Sequence, residues 1–578
     1  MIAYFSMEIG VDPRVPSYSG GLGMLAGDSV RAAADMGLPF VAVTLLHRAG
    51  YFQQRLDDTG WQQESAVAWN PADKLEELPA RAVVEICGRP VVLRAWKYEV
   101  TGGTHGEEIP VFFLDADLPE NTPEDRALTG QLYGGDWSYR LRQEAILGIG
   151  GVRMLDALTP YLKLAPVTRY HMNEGHASLL VAEILRRRLV ETGRTPGPDV
   201  IRADDIEFVR SKCVFTTHTP IPAGHDRFGM DTVREVLGPG TVLERADLFQ
   251  HEGLYNTTYA ALNLSRYVNG VAKTHGEVSR RMFPNYDVDS ITNGVHLSTW
   301  VSAPMAELLD ARVPGWRTDN ASLRSVLGIP TRDLRQAHDQ AKRALIEFVN
   351  AQAGGQTGGQ TAAGFSESAF TIGFARRATG YKRPDLLLAD PDRLARISRD
   401  AGPLQVIYAG KAHPKDHHGK EIIQKILRLI PTLRDHVKLV YLPEYDFDLC
   451  KRMVGGVDLW LNTPQPPLEA SGTSGMKAAA NGVPQLSTLD GWWVEGCVPG
   501  VTGWPIGEAT LDDDPGRWSR DAESLYTTLE REILPTFYGR AGDAEAWGRV
   551  MRSCIAINAS FFTTHRMMQQ YVVKAYFG

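Results

Sequence analysis

The stretch FTIGFARRATGYKRPDLLL, residues 370–388, decides how the chain folds. Its first residues form a short apolar run rich in β-branched and aromatic side chains, which predicts a buried strand leading directly into a loop. That loop carries Arg376, Arg377, Lys382 and Arg383 with no acid between them. Such cations repel one another unless water or a bound anion neutralises them, and both residue types suit phosphate. A solvated basic loop is the alternative, but its position after a strand favours an anion site.

Short apolar runs of this kind alternate with amphipathic helical stretches along the whole chain. The alternation predicts parallel α/β sheets. In such sheets ligands bind at the carboxyl ends of the strands, so functional motifs should directly follow strands. The strand candidates are 40–46, 167–173, 212–219, 369–376, 404–410, 437–442 and 459–463, and the helix candidates include 175–193, 332–350, 416–430 and 446–455.

The fold class predicted from this pattern is α/β, with two Rossmann-like doubly wound domains facing across a cleft. The N-terminal domain is predicted over residues 1–300 and the C-terminal domain over 301–559. A helix over about 560–578 could pack back on the first domain. The low-complexity segment AQAGGQTGGQTAAG predicts a flexible insert at 351–366.

The composition of the 578 residues excludes several functional classes. A net charge of -8 gives no electrostatic reason to expect nucleic acid or an anionic membrane as a partner. The chain has no apolar run long enough to span a membrane. The N-terminus MIAYFSMEIG lacks the basic region and apolar stretch of a signal peptide, so a cytoplasmic location is predicted. The five cysteines are scattered, which indicates reduced thiols.

A glycine-rich turn near the N-terminus joins a strand to a helix in YSGGLGMLAGDSVRAAADMG, residues 18–37. Backbone N–H groups at such a helix start attract phosphate. Gly21, Gly23 and Ala26 fit the dinucleotide pattern G-x-G-x-x-A, but the acidic residue expected after the next strand is missing. A tight turn without a ligand is the alternative interpretation.

Two histidine-containing stretches were considered as metal sites. The spacing in YAGKAHPKDHHGK, residues 408–420, matches no standard zinc pattern. In HMNEGHAS, residues 171–178, the histidines are five positions apart, whereas the zinc-protease motif needs four. We therefore predict no metal, and we expect Glu174 and His176 to line a pocket at a strand end.

The segment EASGTSGMKAAANG, residues 469–482, places the single amine of Lys477 among small residues. Gly472 and Gly475 permit close backbone approach, and a helical turn follows them. The amine could bind an anion, hold a cofactor covalently or cap the short helix, although a lysine in a first turn opposes the helix dipole. A tight, dry pocket beside an oxyanion site suits pyridoxal phosphate.

These segments resemble the α-glucan (glycogen, starch and maltodextrin) phosphorylases, and most closely their short bacterial branch. Residues 469–482 are similar to the family's pyridoxal-lysine segment, and ARRATGYKR is similar to its phosphate-binding segment. SGGLGMLAGDS is similar to its glycine loop over the cofactor phosphate. The stretches YFSMEIG, NEGHASL, THTPIPAG, VNGVAKTHGEVSRRMF and ITNG match in order, so the resemblance runs from about residue 3 to the C-terminus.

The resemblance implies the GT-B architecture and pyridoxal 5'-phosphate as the cofactor. It implies reversible, retaining phosphorolysis of an α-1,4-glucan or maltooligosaccharide from its non-reducing end, with inorganic phosphate giving glucose 1-phosphate. A homodimer is compatible with it. Residue by residue, it makes Arg377 and Lys382 catalytic, makes Lys477, Gly21, Arg376, Gly472 and Thr473 bind the cofactor, and makes Glu469, Ser471, Glu174, His176 and Arg266 bind the substrate.

The sequence departs from the larger phosphorylases at two positions. Arg266 stands where they carry a glucose-contacting histidine, and we expect its guanidinium to point toward phosphate or Glu174. Asp446 stands where they carry an arginine near the cofactor. The chain also begins almost at the catalytic domain, so regulation by nucleotide or phosphoserine is not expected.

The main alternative is a retaining nucleotide-sugar glucosyltransferase, similar to glycogen or starch synthase. Many of these enzymes carry two glutamates eight positions apart at the nucleotide-sugar site. In this chain the residue eight positions after Glu469 is Lys477, which favours a phosphorylase. An inactive glucan-binding protein would be expected to lose either the lysine or the basic loop, and both are present.

Overall fold

The chain divides into two compact units. Unit 1 is built from residues 1–52, 66–292 and 567–578, and unit 2 from residues 53–65 and 293–566. Unit 2 therefore includes a short hairpin that comes from the N-terminal part of the sequence. The computed structural model describes residues 1–103, 106–355, 364–511, 514 and 516–577.

The strands are short, as the sequence pattern predicts. In chain order they are β1 (Ile2–Ser6), β2 (Phe40–Leu45), β3 (Gln53–Leu56), β4 (Gln62–Ser65), β5 (Glu76–Ile86), β6 (Arg89–Thr101), β7 (Glu108–Asp115), β8 (Arg169–Asn173), β9 (Cys213–Thr216), β10 (Arg227–Gly229), β11 (Gln250–His251), β12 (Leu254–Asn256), β13 (Tyr267–Gly270), β14 (Asp289–Ser290), β15 (Phe370–Ala375), β16 (Leu404–Ala409), β17 (Val437–Leu442), β18 (Leu459–Asn462), β19 (Gln485–Thr488) and β20 (Gly503–Ile506).

Helices connect most of these strands. The α-helices are α1 (Gly21–Asp35), α2 (Pro123–Arg126), α3 (Trp137–Ala145), α4 (Gly151–Leu162), α5 (Leu179–Glu191), α6 (Ala203–Lys212), α7 (Met230–Leu237), α8 (Ala246–Phe249), α9 (Thr257–Asn263), α10 (Lys273–Met282), α11 (Leu297–Trp300), α12 (Ala303–Arg312), α13 (Thr331–Gly355), α14 (Pro391–Asp400), α15 (His417–Leu433), α16 (Phe447–Gly456), α17 (Ser474–Ala479), α18 (Trp493–Gly496), α19 (Arg517–Thr528), α20 (Leu534–Phe537), α21 (Ala546–Ser553) and α22 (Thr564–Tyr571).

Unit 1 is organised around a sheet with the order β14-β13-β9-β8-β1-β2-β7-β6-β5. The strands from β14 to β7 are parallel, and β6 and β5 extend the sheet with antiparallel pairing. The parallel strands β1 and β2 are buried at every residue, whereas β5 alternates between buried and exposed. This difference is expected because a parallel sheet is covered on both faces and an antiparallel edge has one face in solvent.

Unit 2 contains a fully parallel sheet with the order β17-β16-β15-β18-β19-β20. Counted from β15, this is the Rossmann order 3-2-1-4-5-6, in which the direction of winding reverses between the first and fourth strands. The loops that follow β15 and β18 therefore diverge at the carboxyl edge and leave a crevice. In unit 1 the corresponding reversal lies between β1 and β8.

The α/β fold class and the two doubly wound sheets predicted from sequence are confirmed. The strand candidates at 40–46, 369–376 and 437–442 coincide with β2, β15 and β17. The antiparallel hairpin of β5 and β6 was not predicted, because β5 alternates between buried and exposed residues and lacks the continuous apolar run of the other strand candidates. Of the predicted insert at 351–366, residues 351–355 continue α13 and residues 356–363 lie outside the described residues. None of the described helices is long and apolar enough to cross a bilayer.

Helix α13 is held on the sheet of unit 2 by a buried ion pair. Lys342 Nζ donates to Asp458 Oδ2 at 2.6 Å and to the carbonyl of Ala369 at 2.8 Å. The same carboxylate accepts the N–H of Thr371 on β15, at 2.7 Å. Both charged side chains are at most 3% exposed, so each charge depends on the other for compensation.

Replacing Lys342 by methionine should therefore destabilise unit 2 strongly. The change keeps the length of the side chain but leaves Asp458 buried without its cation, which costs about 3–5 kcal/mol. Arg343→Met is the matched control, since Arg343 pairs with Glu367 on the exposed face of the same helix and should cost less than about 1 kcal/mol. Urea unfolding of both variants measures the difference, and equal losses would contradict the role of the pair.

Candidate active site

The crevice of unit 2 brings together a cationic loop and a carboxylate. Arg376, which follows β15, and Lys382, farther along the same loop, both donate to Oε2 of Glu469. Glu469 lies in the segment after β18, so the two loops meet where the winding reverses. The three side chains are only 9–11% exposed. Burial alone would raise the pKa of Glu469, but the two cations lower it to about 2.

The hydrogen bonding of the Arg376 guanidinium is incomplete within the part of the chain that the structure describes. Among the described residues, the buried Nη1 of Arg376 lacks a hydrogen-bond acceptor. A buried guanidinium N–H without an acceptor is costly, so the group has the chemistry of an anion site. The arrangement agrees with the prediction that Arg376 and Lys382 face an anion.

Lys477 lies in the short helix α17 and is 4% exposed. Its Nζ is 3.5 Å from the centre of the Trp300 ring, which is a close cation–π contact. Asn481 holds the two residues together, because its Nδ2 donates to the carbonyls of both Trp300 and Lys477 at 3.0 Å. The amine predicted to hold a cofactor is therefore buried against an aromatic face.

Two glycines shape the backbone around this lysine. Gly472 has a φ of 74°, in the left-handed region that glycine adopts without strain. A Cβ at Gly475 would lie 1.5 Å from Oε1 of Gln485, so that position admits no side chain without rearrangement. Thr473, between them, precedes the first residue of α17. The helix start thus approaches its neighbours as closely as the sequence predicted.

A turn after β19 supports the segment that contains Glu469 and Ser471. Asp490 Oδ2 accepts the N–H of Glu469 at 2.8 Å, and its Oδ1 accepts that of Gly491 at 2.8 Å. The N–H of Trp492 donates to the carbonyl of Ser471 at 2.9 Å. A Cβ at Gly491 would lie 2.3 Å from the same carbonyl, so the two segments are in direct backbone contact.

The other predicted cations occupy different surroundings. Arg377 is exposed on the basic loop. Arg383 is buried, and its Nη2 donates to Asp521 Oδ2 at 2.7 Å. The repulsion expected among four cations is therefore relieved in part by two internal carboxylates, and not by solvent alone. Asp446 accepts the N–H of Leu449 at 2.8 Å and so caps α16.

The carboxyl edge of unit 1 holds a second polar cluster around Glu174. This residue follows β8 with a φ of 77°. Its carboxylate accepts the N–H groups of Gly175 at 2.9 Å and His218 at 2.8 Å, and the Thr219 hydroxyl at 2.9 Å. Burial lowers the pKa of His218 to about 4, so this imidazole is neutral at neutral pH.

His176 presents a hydrogen-bond donor in the same cluster. Its Nε2 lies 2.9 Å from Nη2 of Arg140, and arginine can only donate, so Nε2 accepts and the ring proton is on Nδ1. Among the described residues this buried Nδ1 has no partner. Arg140 is itself held by Asp226 at 2.7 Å.

Gly21 and Arg266 are the other two predicted residues of unit 1. The space above Gly21 is open, and the preceding amides of Ser19 and Gly20 donate to the Glu8 carboxylate, at 2.6 and 3.3 Å. Arg266 is exposed at the amino end of β13, where its N–H donates to the carbonyl of Cys213. Glu174 follows the carboxyl end of β8, so the structure does not bring Arg266 to Glu174 as expected.

Comparison with known proteins identifies the family of this chain. Residues 241–497 match the family model described as carbohydrate phosphorylase. All of this chain aligns at 37% identity with 70% of the maltodextrin phosphorylase of Thermococcus litoralis. The chain belongs to the carbohydrate phosphorylase family. All of it also aligns at 38% identity with 70% of a Mycobacterium tuberculosis glycogen phosphorylase and at 35% identity with 86% of that of Aquifex aeolicus.

Family membership confirms the predicted resemblance and the predicted enzyme class, a phosphorylase that transfers a glycosyl group. Three residues that the structure places in the two clusters were not predicted from the sequence: Trp300, Asp490 and His218. Asp490 and His218 each lie two residues after a strand, β19 and β9, so the rule that located Glu174 would have found them. No sequence pattern near Trp300 indicated its contact with Lys477, because the two residues lie far apart in the chain.

The ionisation of Asp490, in the turn that supports Glu469, can be tested through the pH dependence of stability. Burial raises its pKa to about 7, well above the value of about 3.9 for an exposed aspartate. The folded protein therefore keeps a proton that the unfolded chain releases, and stability from this group falls as the pH rises from about 4 to about 7. Relative to Asp490→Asn, the wild type should lose roughly 1–2 kcal/mol of unfolding free energy between pH 5 and pH 7.

Urea unfolding at the two pH values measures this loss. Asp435→Asn serves as the control, because Asp435 is exposed and should give the same pH dependence as the wild type. If the stability difference between the wild type and Asp490→Asn did not change with pH, Asp490 would not titrate in this range.

Proposed function

We propose that this chain catalyses the reversible, retaining phosphorolysis of α-1,4-glucans at the non-reducing end, with release of glucose 1-phosphate. The observation that carries the proposal is the crevice of unit 2. There Glu469 bridges a pair of cations on the loop after β15, and the buried Lys477 follows Glu469 by eight residues, in α17. The relatives named maltodextrin and glycogen phosphorylases support the glucan as substrate.

The residues of unit 2 fit pyridoxal 5'-phosphate as the cofactor. Lys477 would hold it through its buried amine, next to the Trp300 ring. Gly472 and Thr473 at the start of α17, together with the unpartnered Nη1 of Arg376, supply donors for a phosphate. When bound, the cofactor supplies a phosphate group whose second pKa of about 6 allows proton exchange with substrate phosphate at neutral pH. Gly21 remains a prediction from the resemblance.

Arg377 and Lys382 are proposed to bind the substrate phosphate. Their charges would offset the repulsion between two phosphate groups in one site. The substrate phosphate gives its proton to the glycosidic oxygen as the bond from that oxygen to C1 breaks. One of its oxygens then bonds to C1 on the same face, which retains the configuration. Lys382 is already directed at this site by Glu469, and Arg377 is exposed where an incoming anion can reach it.

The glucose unit is proposed to contact Glu469 and Ser471. The Glu469 carboxylate is ionised and still has lone pairs for sugar hydroxyls beside its two cations. Its position depends on the turn at Asp490, which fixes the Glu469 backbone.

Glu174 and His176 in unit 1 are proposed to bind the glucan. The unpartnered Nδ1–H of His176 is a neutral donor suited to a sugar hydroxyl. His218 donates its Nε2–H to Asn173 Oδ1 at 2.7 Å, so its neutral ring leaves Nδ1 as an acceptor for a sugar hydroxyl. Uncharged donors suit a reaction in which positive charge develops at the anomeric carbon.

Lys477→Ala should lose both the cofactor and activity. The wild type purified with pyridoxal phosphate should absorb in the visible or near-ultraviolet range, and borohydride should fix the group to the peptide containing Lys477. Lys425→Ala is the control, since Lys425 is exposed and pairs with Asp385. A wild type without cofactor absorbance, or reduction at another lysine, would contradict the assignment.

Arg377→Ala should raise the KM for phosphate and lower kcat, with a smaller effect on the KM for glucan. A charge-assisted hydrogen bond is worth about 1.5–3 kcal/mol, so a loss of about tenfold to a hundredfold is expected. Arg266→Ala should change neither constant by more than about twofold, because Arg266 lies at the amino end of its strand. A change confined to the glucan KM would refute the phosphate role.

The same assay separates the alternative function. A phosphorylase forms glucose 1-phosphate from glucan and inorganic phosphate, whereas a glucosyltransferase would extend glucan only from a nucleotide sugar. The presence of Lys477 eight positions after Glu469 favours the phosphorylase. A cytoplasmic location and a homodimer remain predictions from the sequence.

A further inference from the structure

The hairpin of β3 and β4 comes from the N-terminal part of the sequence but belongs to unit 2. Two of its glutamines, Gln54 and Gln62, are 3% and 0% exposed. Glutamine is rarely so deeply buried unless its amide is fully hydrogen-bonded. The Nε2 of Gln54 donates to Oε1 of Gln62 at 2.8 Å, so the two amides form one unit, which we call the glutamine clamp.

The glutamine clamp hydrogen-bonds to the backbone of residues 410–412, the segment that follows β16. Gln54 Nε2 donates to the carbonyl of Gly410 at 2.9 Å. Gln62 pairs with both backbone groups of Ala412, since its Nε2 donates to the carbonyl and its Oε1 accepts the N–H, each at 2.9 Å. The N–H of Glu444 donates to Gln54 Oε1 at 2.9 Å, which completes the hydrogen bonds of that amide.

The end of β16 and the segment after it in turn form backbone hydrogen bonds with the start of the basic loop. The carbonyl of Ala409 accepts the N–H of Arg376 at 3.3 Å, and that of Lys411 accepts the N–H of Ala378 at 2.9 Å. A Cβ at Gly410 would lie 1.9 Å from the carbonyl oxygen of Arg376, so the two backbones are in direct contact. A shift of Gly410 would therefore be transmitted to Arg376 and to the residue that follows it.

We propose that Gln54 and Gln62 are positioning residues for the phosphate site, a role that rests on the proposed function. Their side-chain amides bond to each other and to backbone groups of residues 410, 412 and 444, so the proposed role is indirect. They fix the backbone of residues 410–412, and that backbone fixes where Arg376 and Arg377 begin. The geometry of cations around a transferred phosphate tolerates little error, because a displacement of about 1 Å costs on the order of a hundredfold in rate.

The chemistry of the clamp explains why an apolar residue would not serve. Gly410 and Ala412 present buried carbonyl and N–H groups that must be paired, and a glutamine amide supplies a donor and an acceptor in one plane. Methionine has nearly the same length and shape but pairs neither group. In Gln62→Met both backbone groups of Ala412 would lose their partner, whereas in Gln54→Met the Gly410 carbonyl would keep the Tyr441 hydroxyl, which donates to it at 2.8 Å. The larger movement of the basic loop is therefore expected from Gln62→Met.

Gln62→Met and Gln54→Met test the inference. Each should raise the KM for phosphate by about fivefold to fiftyfold, with the KM for glucan within about twofold of the wild type. Phosphate binding without turnover gives a second measurement, since inorganic phosphate stabilises the native state by RT ln(1 + [L]/Kd) and so raises the melting temperature. The phosphate concentration needed for a given rise should increase by the same factor as the KM.

Gln424→Met is the matched control. Gln424 donates to the carbonyl of Thr59 in the same hairpin, at 3.1 Å, but this contact is exposed and does not involve residues 410–412. It should leave both KM values unchanged. If the clamp variants lowered the melting temperature without changing either phosphate measurement, the clamp would be structural only and the inference would be wrong. If the wild type released no glucose 1-phosphate from glucan, the proposed function itself would fail.

Discussion

The bridge formed by Glu469 between Arg376 and Lys382 is the interaction on which the site depends. Two cations and one carboxylate are almost fully buried there, and burying a charge is costly unless opposite charges and hydrogen bonds compensate it. The two cations keep the Glu469 carboxylate ionised, with its pKa lowered to about 2. Together these three side chains carry one net positive charge, and among the described residues one N–H of Arg376 has no acceptor. The cluster is therefore suited to bind an anion.

Each part of the surrounding structure serves to hold this bridge in place. The turn at Asp490 fixes the Glu469 backbone, and the segment after β16 fixes that of Arg376. Gly410 and Gly491 allow these supports to touch the backbone directly, with no side chain between them. Because contacts of this kind leave no room for adjustment, small changes in the supports should affect the geometry of the site more than the stability of the fold.

Both units place polar residues next to a reversal in the order of their strands, but the charges of these residues differ. In each sheet the winding reverses next to the first strand, and the polar residues follow strands on either side of that reversal. Unit 2 places permanent charges there, with Arg376 and Glu469. Unit 1 places neutral histidines around the carboxylate of Glu174. Permanent charges suit a charged phosphate, and neutral histidines suit an uncharged sugar.

The sequence by itself determined the α/β class, the strands that lead into the site, and the segments around Arg376, Glu469 and Lys477. These features are local: apolar runs, glycines and cations follow one another within a few residues, and short-range patterns are what a sequence displays directly. It also carried the resemblance to the phosphorylases.

Only the tertiary structure decided which groups pair. It paired Arg383 with Asp521 and placed Trp300 against Lys477. It also showed that the early hairpin with Gln54 and Gln62 belongs to unit 2. It also left Arg266 at the amino end of its strand, although we expected its guanidinium to point toward phosphate or Glu174. These outcomes depend on contacts between residues far apart in the chain, and the partner of a buried charge is set by how the sheets and loops pack, which no local pattern records.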